Sequence, residues 1–179
     1  ISGVQLKETK QTTSDESRSD EPVSSKDGTP KNGEGLLEKY GRNLTEMAAK
    51  GAIDPVYGRS REIESIIDIL GRKRNNNPLI IGPAGSGKTA IVEALALRQV
   101  EGLLPGIEIW ELNISSMIGG TEYRGSLEKR IGDLIEFVEK NSDRIIIFID
   151  EIHLIFSTGN ETVVNMLKPM LSRGTFPLI

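Results

Sequence analysis

The octapeptide Gly82-Pro83-Ala84-Gly85-Ser86-Gly87-Lys88-Thr89 has the residue types and spacing that hold a polyphosphate. Its glycines let the backbone curl so that successive N–H groups point at phosphate oxygens, at the positive end of the helix that follows. Lys88 would reach the β- and γ-phosphates, and the Thr89 hydroxyl would ligate Mg²⁺. Ala90 would sit beside them in the first turn. A glycine-rich turn without a ligand is the bland alternative. Against it stand the apolar run Pro78–Ile81 just before the loop and the helical pattern Ala90–Leu97 just after it. Strand, loop and helix together are the context this spacing requires. ATP or GTP, with Mg²⁺, is the expected ligand.

A second group of chemically capable residues ends another apolar run. Ile145-Ile146-Ile147-Phe148-Ile149 is uninterrupted by polar residues, as in a parallel strand buried on both faces, and Asp150-Glu151 follow at its C-terminal tip. Ligands of open α/β sheets bind at that edge. Asp150 is placed to hold the Mg²⁺ hydration shell and Glu151 to polarise an attacking water. Two acids that merely end a hydrophobic strand are the competing reading, and the phosphate loop weighs against it. His153 is the sole histidine, so it has no metal-binding histidine partner and reads as a packing or supporting residue near the site. Trp110 reads as a core or sheet-edge residue.

Elements of both periods must position these groups. Residues 1–35 are rich in Ser, Thr, Asp, Glu, Lys and Gly and read as a disordered acidic linker. Order is expected from Leu36, in an amphipathic segment running to Ala48 and ended by Gly51, with an irregular loop at 53–59. Ser60 is expected to cap a helix with Ile63, Ile66, Ile67 and Leu70 on one face, closed by Arg72-Lys73-Arg74. Residues 107–112 alternate like a strand. Ser126–Lys140 carries Leu127, Ile131, Leu134, Ile135 and Val138 at helical spacing. A helix is expected over 161–172 and a further strand at 175–179. Strands alternating with helices predict a three-layer α/β/α domain.

Composition narrows the function classes. The net charge of −4 and a pI near 5.2 argue against a broad nucleic-acid or anionic-membrane surface. Disulfides and thiolate metal sites are excluded because the chain contains no cysteine. No apolar run is long enough to form a membrane-spanning helix.

Taken in order, several segments resemble one family: residues 53–59, Arg74–Pro78, the phosphate loop with its helix, Gly120–Gly125, Phe148–His153 and Asn165–Leu171. They are similar to the first AAA+ module of the Clp ATPases, ring-forming protein unfoldases and disaggregases. The linker composition is most similar to the ClpA branch, which feeds the ClpP peptidase. The resemblance implies a P-loop NTPase fold of AAA+ type over 36–179, incomplete at its C-terminus, and a cytoplasmic, hexameric ring of identical subunits. It further implies ATP hydrolysis, a ClpP-type peptidase partner, and unfolded or tagged protein substrates with their adaptors. By that resemblance the loop Val56-Tyr57-Gly58-Arg59 lines the adenine pocket, and Tyr123 with Arg124 forms a pore loop gripping the substrate. An aromatic side chain suits that task, because it offers a large contact with few rotors to freeze. Tyr57 departs from the family, standing where an aliphatic residue is usual. The alternatives are a ClpB-type disaggregase without a peptidase and an AAA+ nucleic-acid motor or clamp loader. A chain ending at Ile179 would lack the sensor, arginine finger and lid of the family, so the isolated piece is expected to fold poorly and be inactive.

Overall fold

The computed structural model describes residues 32–119, 124–157 and 161–179. Most of the expected linker, residues 1–31, lies outside them. Order starts slightly earlier than expected. Asn32 accepts a bond from the Gly35 N–H at 3.1 Å and caps α1 (Gly33–Tyr40).

The expected continuous segment 36–48 is broken in two. At Gly41 the backbone turns extended, and a Cβ there would lie 2.6 Å from the Leu37 carbonyl oxygen. Only glycine allows that close approach. Residues Gly41–Asn43 then form β1, and α2 (Leu44–Ala49) begins with the Asn43 side chain accepting from the Glu46 N–H. β1 carries no apolar alternation, which is why its sequence gives no strand signal. It is held antiparallel against β2 (Glu108–Leu112), where Arg42 pairs with Glu111.

β2 runs parallel to β3 (Ile145–Phe148), giving the order β1-β2-β3. Residues 177–179 extend this sheet. The Ile147 N–H donates to the Pro177 carbonyl, and Ile147 and Leu178 form a parallel bridge. The strand expected at 175–179 is therefore present as a short pairing. The strand expected at 78–81 is not: among the described residues it joins no ladder, and Leu79 and Ile81 are 68% and 85% exposed. Side-chain amides hold its approach instead. Asn76 donates to the Gly174 carbonyl at 3.1 Å, and the Leu178 N–H donates to Asn77 Oδ1 at 3.1 Å.

Two apolar layers enclose the sheet. Ile145, Ile147 and Ile149 pack with α1, α5 (Ile114–Gly119), α6 (Arg124–Lys140) and α8 (Glu161–Arg173). Ile146 and Phe148 face the opposite way, into α2, α3 (Ser60–Leu70) and α4 (Lys88–Val100). Alternate β3 residues thus enter opposite cores, as a strand buried on both faces requires, and the three-layer α/β/α arrangement follows. The short helix α7 (His153–Ser157) leaves the tip of β3. Because Leu95 of α4 is fully buried, Leu95→Ala should cost about 2–5 kcal/mol in urea unfolding. Leu103→Ala, at a site 41% exposed, should stay within about 0.5 kcal/mol.

Candidate functional site

The site is assembled where α4 begins. Gly87 adopts φ +84°, a left-handed conformation that turns the chain into the helix at Lys88, two residues before the expected start. The Ile91 N–H donates back to the Gly87 carbonyl at 3.1 Å, and the Ser86 N–H closes a turn onto Pro83 at 3.2 Å. Among the described residues the N–H groups of Gly85, Gly87, Lys88 and Thr89 have no acceptor. Unpaired first-turn donors at a positive helix end are what bind phosphate. Lys88 Nζ curls over the same loop and donates to the Gly82 and Pro83 carbonyls, each at 3.2 Å.

The carboxylates reach this loop from β3. Thr89 Oγ1 donates to Asp150 Oδ2 at 2.9 Å, joining two groups 61 residues apart in sequence. A hydroxyl and a carboxylate oxygen are the hard donors that Mg²⁺ takes. Among the described residues no cluster of three or more His, Asp or Glu is built to hold a metal by itself. The pair fits a Mg²⁺ whose other ligands are phosphate oxygens and water. Glu151 is exposed and held at φ +60°, a strained setting for a residue with a Cβ. His153 Nε2 stands 3.6 Å from its carboxylate. A cavity of about 770 Å³ opens between Gly82, Ala84, Lys88, Asp150, Glu151 and His153, a volume suited to a nucleotide-sized ligand.

The residues expected around the base lie apart from this cavity. Val56, Tyr57 and Gly58 border a second one of about 450 Å³, against Ala94 and Leu97 of α4. Val56 is half-buried, whereas Tyr57 is 86% exposed. Arg59 borders this second cavity and not the first. Ser60 is not the cap expected of it, since it is already the first residue of α3 and Arg59 occupies the cap position. The Arg59 side chain reaches away from the helix end, donating to the Ser86 carbonyl at 2.7 Å and to Glu62 Oε1 at 2.9 Å. That bond from Arg59 lowers the Glu62 pKa, so the pair is intact at neutral pH and loosens only as pH falls below the usual carboxylate range. Sequence reasoning placed Arg59 only within the loop near the base; its contact with a residue 27 positions away has no local signature. Trp110 sits half-buried on β2 and donates to Glu108 at 2.9 Å, a sheet residue as expected. Tyr123 lies outside the described residues, and Arg124 opens α6.

A phosphate loop on the first helix turn, facing acids at the tip of a buried parallel strand, defines a P-loop nucleoside-triphosphate-binding protein. Comparison with known proteins is more specific. The family described as "ATPase family associated with various cellular activities (AAA)" matches residues 78–177, more than half of the chain. The chain belongs to that family. It is 43% identical over 161 residues to the chaperone protein ClpB of Mycoplasmoides gallisepticum, covering 84% of this chain and 22% of that protein. To ClpB of Tropheryma whipplei it is 48% identical over 151 residues, covering 80% and 21%. A third relative is the ATP-dependent Clp protease ATP-binding subunit ClpE of Streptococcus pneumoniae, 46% identical over 159 residues and covering 84% and 21%. Among solved structures, Hsp104 with ATPγS and FITC casein superposes with a TM-score of 0.73 at 38% identity, covering 80% of this chain and 26% of that one. The chain therefore spans about a fifth of the length of the curated relatives it matches.

The strain at Glu151 generates a prediction. Glu151→Gly should relieve a left-handed conformation that costs a side-chain-bearing residue about 1–2 kcal/mol, less what glycine's extra backbone entropy returns to the unfolded state. Thermal unfolding should show the variant at least as stable as the parent.

Proposed function

We propose that this chain carries the ATP-binding and ATP-hydrolysing part of a ring-forming, Clp-type protein-remodelling ATPase. The direct contact between Thr89 and Asp150, with Glu151 as the next residue, supports this reading best. That contact sets the loop beside the two oxygens we assign to Mg²⁺ and the residue we assign as base. Phosphoryl transfer to water needs positioning and charge neutralisation more than covalent chemistry. The amides of Gly85, Gly87, Lys88 and Thr89 would hold phosphate oxygens. Lys88 would leave the carbonyls of Gly82 and Pro83 for the β- and γ-phosphates. Thr89 and Asp150 would hold Mg²⁺, which neutralises charge on the phosphates. Glu151 would accept a hydrogen bond from the attacking water, orient it, and take its proton as the oxygen attacks the γ-phosphorus. Val56, Tyr57 and Gly58 would border the base, and Ala90 the phosphates from the first turn of α4.

Identical subunits in a hexameric ring and unfolded or tagged protein substrates, with their adaptors, complete the proposal. Tyr123 and Arg124 would grip the threaded polypeptide. Two branches share this chemistry. The ClpE relative bears the name of a protease's ATP-binding subunit, which supports threading to a ClpP-type peptidase. The ClpB relatives are named chaperones, which supports disaggregation without a peptidase equally well. A nucleic-acid motor or clamp loader is disfavoured by the net charge of −4. No helix among the described residues is long and apolar enough to cross a membrane. A cytoplasmic location is part of the proposal.

In the complete polypeptide, Glu151→Gln should lower the ATP turnover rate about 10²–10⁴-fold while leaving ATP affinity within a few fold. Equilibrium binding and steady-state phosphate release measure the two effects separately. Loss of affinity equal to the loss of turnover would count against Glu151 as the base. Tyr123→Ala should keep ATP turnover but stop unfolding of a fluorescent substrate protein.

A further inference from the structure

Arg59 occupies the cap position of α3 but makes no side-chain capping bond there. Its guanidinium instead spans two acceptors on different elements, the Ser86 carbonyl of the phosphate loop and the Glu62 carboxylate of α3. The planar fork of arginine can serve both at once, which a lysine ammonium does less well. The consequence for the loop comes from peptide geometry. In a trans peptide the carbonyl and the following N–H point in opposite directions. With the Ser86 carbonyl drawn to Arg59, the Gly87 N–H of the same peptide points away from Arg59. The preceding peptide is fixed too, because the Ser86 N–H is bonded to Pro83.

Gly87 completes the fit. A Cβ at this residue would come within 3.2 Å of Arg59 Nη2, so the guanidinium lies against bare backbone. Arg59 also borders the cavity beside Val56 and Tyr57. One side chain therefore touches both the phosphate loop and the cavity beside Val56 and Tyr57.

We propose that Arg59 is a positioning residue that pins the Ser86–Gly87 peptide with its N–H turned toward bound phosphate, and so ties the 55–60 loop to the phosphate loop. Glu62 holds the guanidinium in place for this task. The proposal rests on the nucleotide-binding reading above. It predicts that Arg59 matters more to the phosphates of a ligand than to its base.

The test uses the complete polypeptide and three probes, ADP, inorganic pyrophosphate and adenosine, with affinities from calorimetry or from competition with a fluorescent ADP analogue. Arg59→Ala should weaken ADP and pyrophosphate about tenfold each, the size expected for loss of a charge-assisted hydrogen bond, and weaken adenosine by a clearly smaller factor. Arg59→Lys should fall between the parent and Arg59→Ala. Glu62→Ala, on the outer surface of α3, should weaken the same two ligands by a smaller factor and add nothing once Arg59 is alanine. If Arg59→Ala lowers the unfolding temperature, Glu62→Ala and Arg59→Lys carry the comparison. Unchanged pyrophosphate affinity in these variants, or adenosine weakened as much as pyrophosphate, would overturn the proposal and leave nucleotide binding standing. A parent protein that binds neither ADP nor pyrophosphate would overturn both.

Discussion

β3 is buried on both faces, and the positions of Asp150 and Glu151 at the site follow from that burial. Ile145, Ile147 and Ile149 enter one core while Ile146 and Phe148 enter the other. Each such side chain is worth about 1.5–3 kcal/mol when removed from water. Together they outweigh the single bond between Thr89 and Asp150, worth about 1.5–3 kcal/mol as a hydrogen bond to a charged group. Packing therefore sets where Asp150 emerges, and the hydrogen bond reports the result. The same holds on the other side of the contact. Val92, Leu95 and Ala96 seat α4 in the core with Ile109, Ile146 and Phe148, which brings its first turn to the strand tip.

At that tip the structure relaxes the rules that govern the core. Glu151 accepts a left-handed backbone, Lys88 donates to loop carbonyls, and Arg59 divides its guanidinium between a loop carbonyl and the Glu62 carboxylate. Loop amides at the start of α4 have no acceptor among the described residues. These features lower stability locally, and each has a use if phosphate and Mg²⁺ bind there. Arg59 stands out because it bridges the loop to α3, through the Ser86 carbonyl and Glu62.

Much of this was legible in the residues alone. The phosphate loop and Asp150-Glu151 carry their chemistry in fixed local spacing. The apolar faces of α3 and α6 and the run at 145–149 declare their packing by period. What escaped was set by distant partners. β1 exists because Arg42 and Asn43 find Glu111 and Glu108 across the sheet, and nothing in Gly-Arg-Asn announces a strand. Pro78–Ile81 has the composition of a strand, yet composition does not supply a neighbour to pair with. Ser60 looked like a cap because serine favours that position, while the fold placed Arg59 there and sent its side chain to Ser86. The cavity bordered by Val56, Tyr57 and Gly58 is distinct from the one lined by the phosphate loop, a separation that no motif encodes.

The most direct test of the account is the structure of the complete polypeptide with Mg²⁺ and a slowly hydrolysed ATP analogue. The account places the β- and γ-phosphates on the amides of residues 85–89 and on Lys88. It also parts the direct Thr89–Asp150 bond around a Mg²⁺ ion. An analogue bound elsewhere, with Lys88 still on the Gly82 and Pro83 carbonyls and Thr89 still bonded to Asp150, would contradict it.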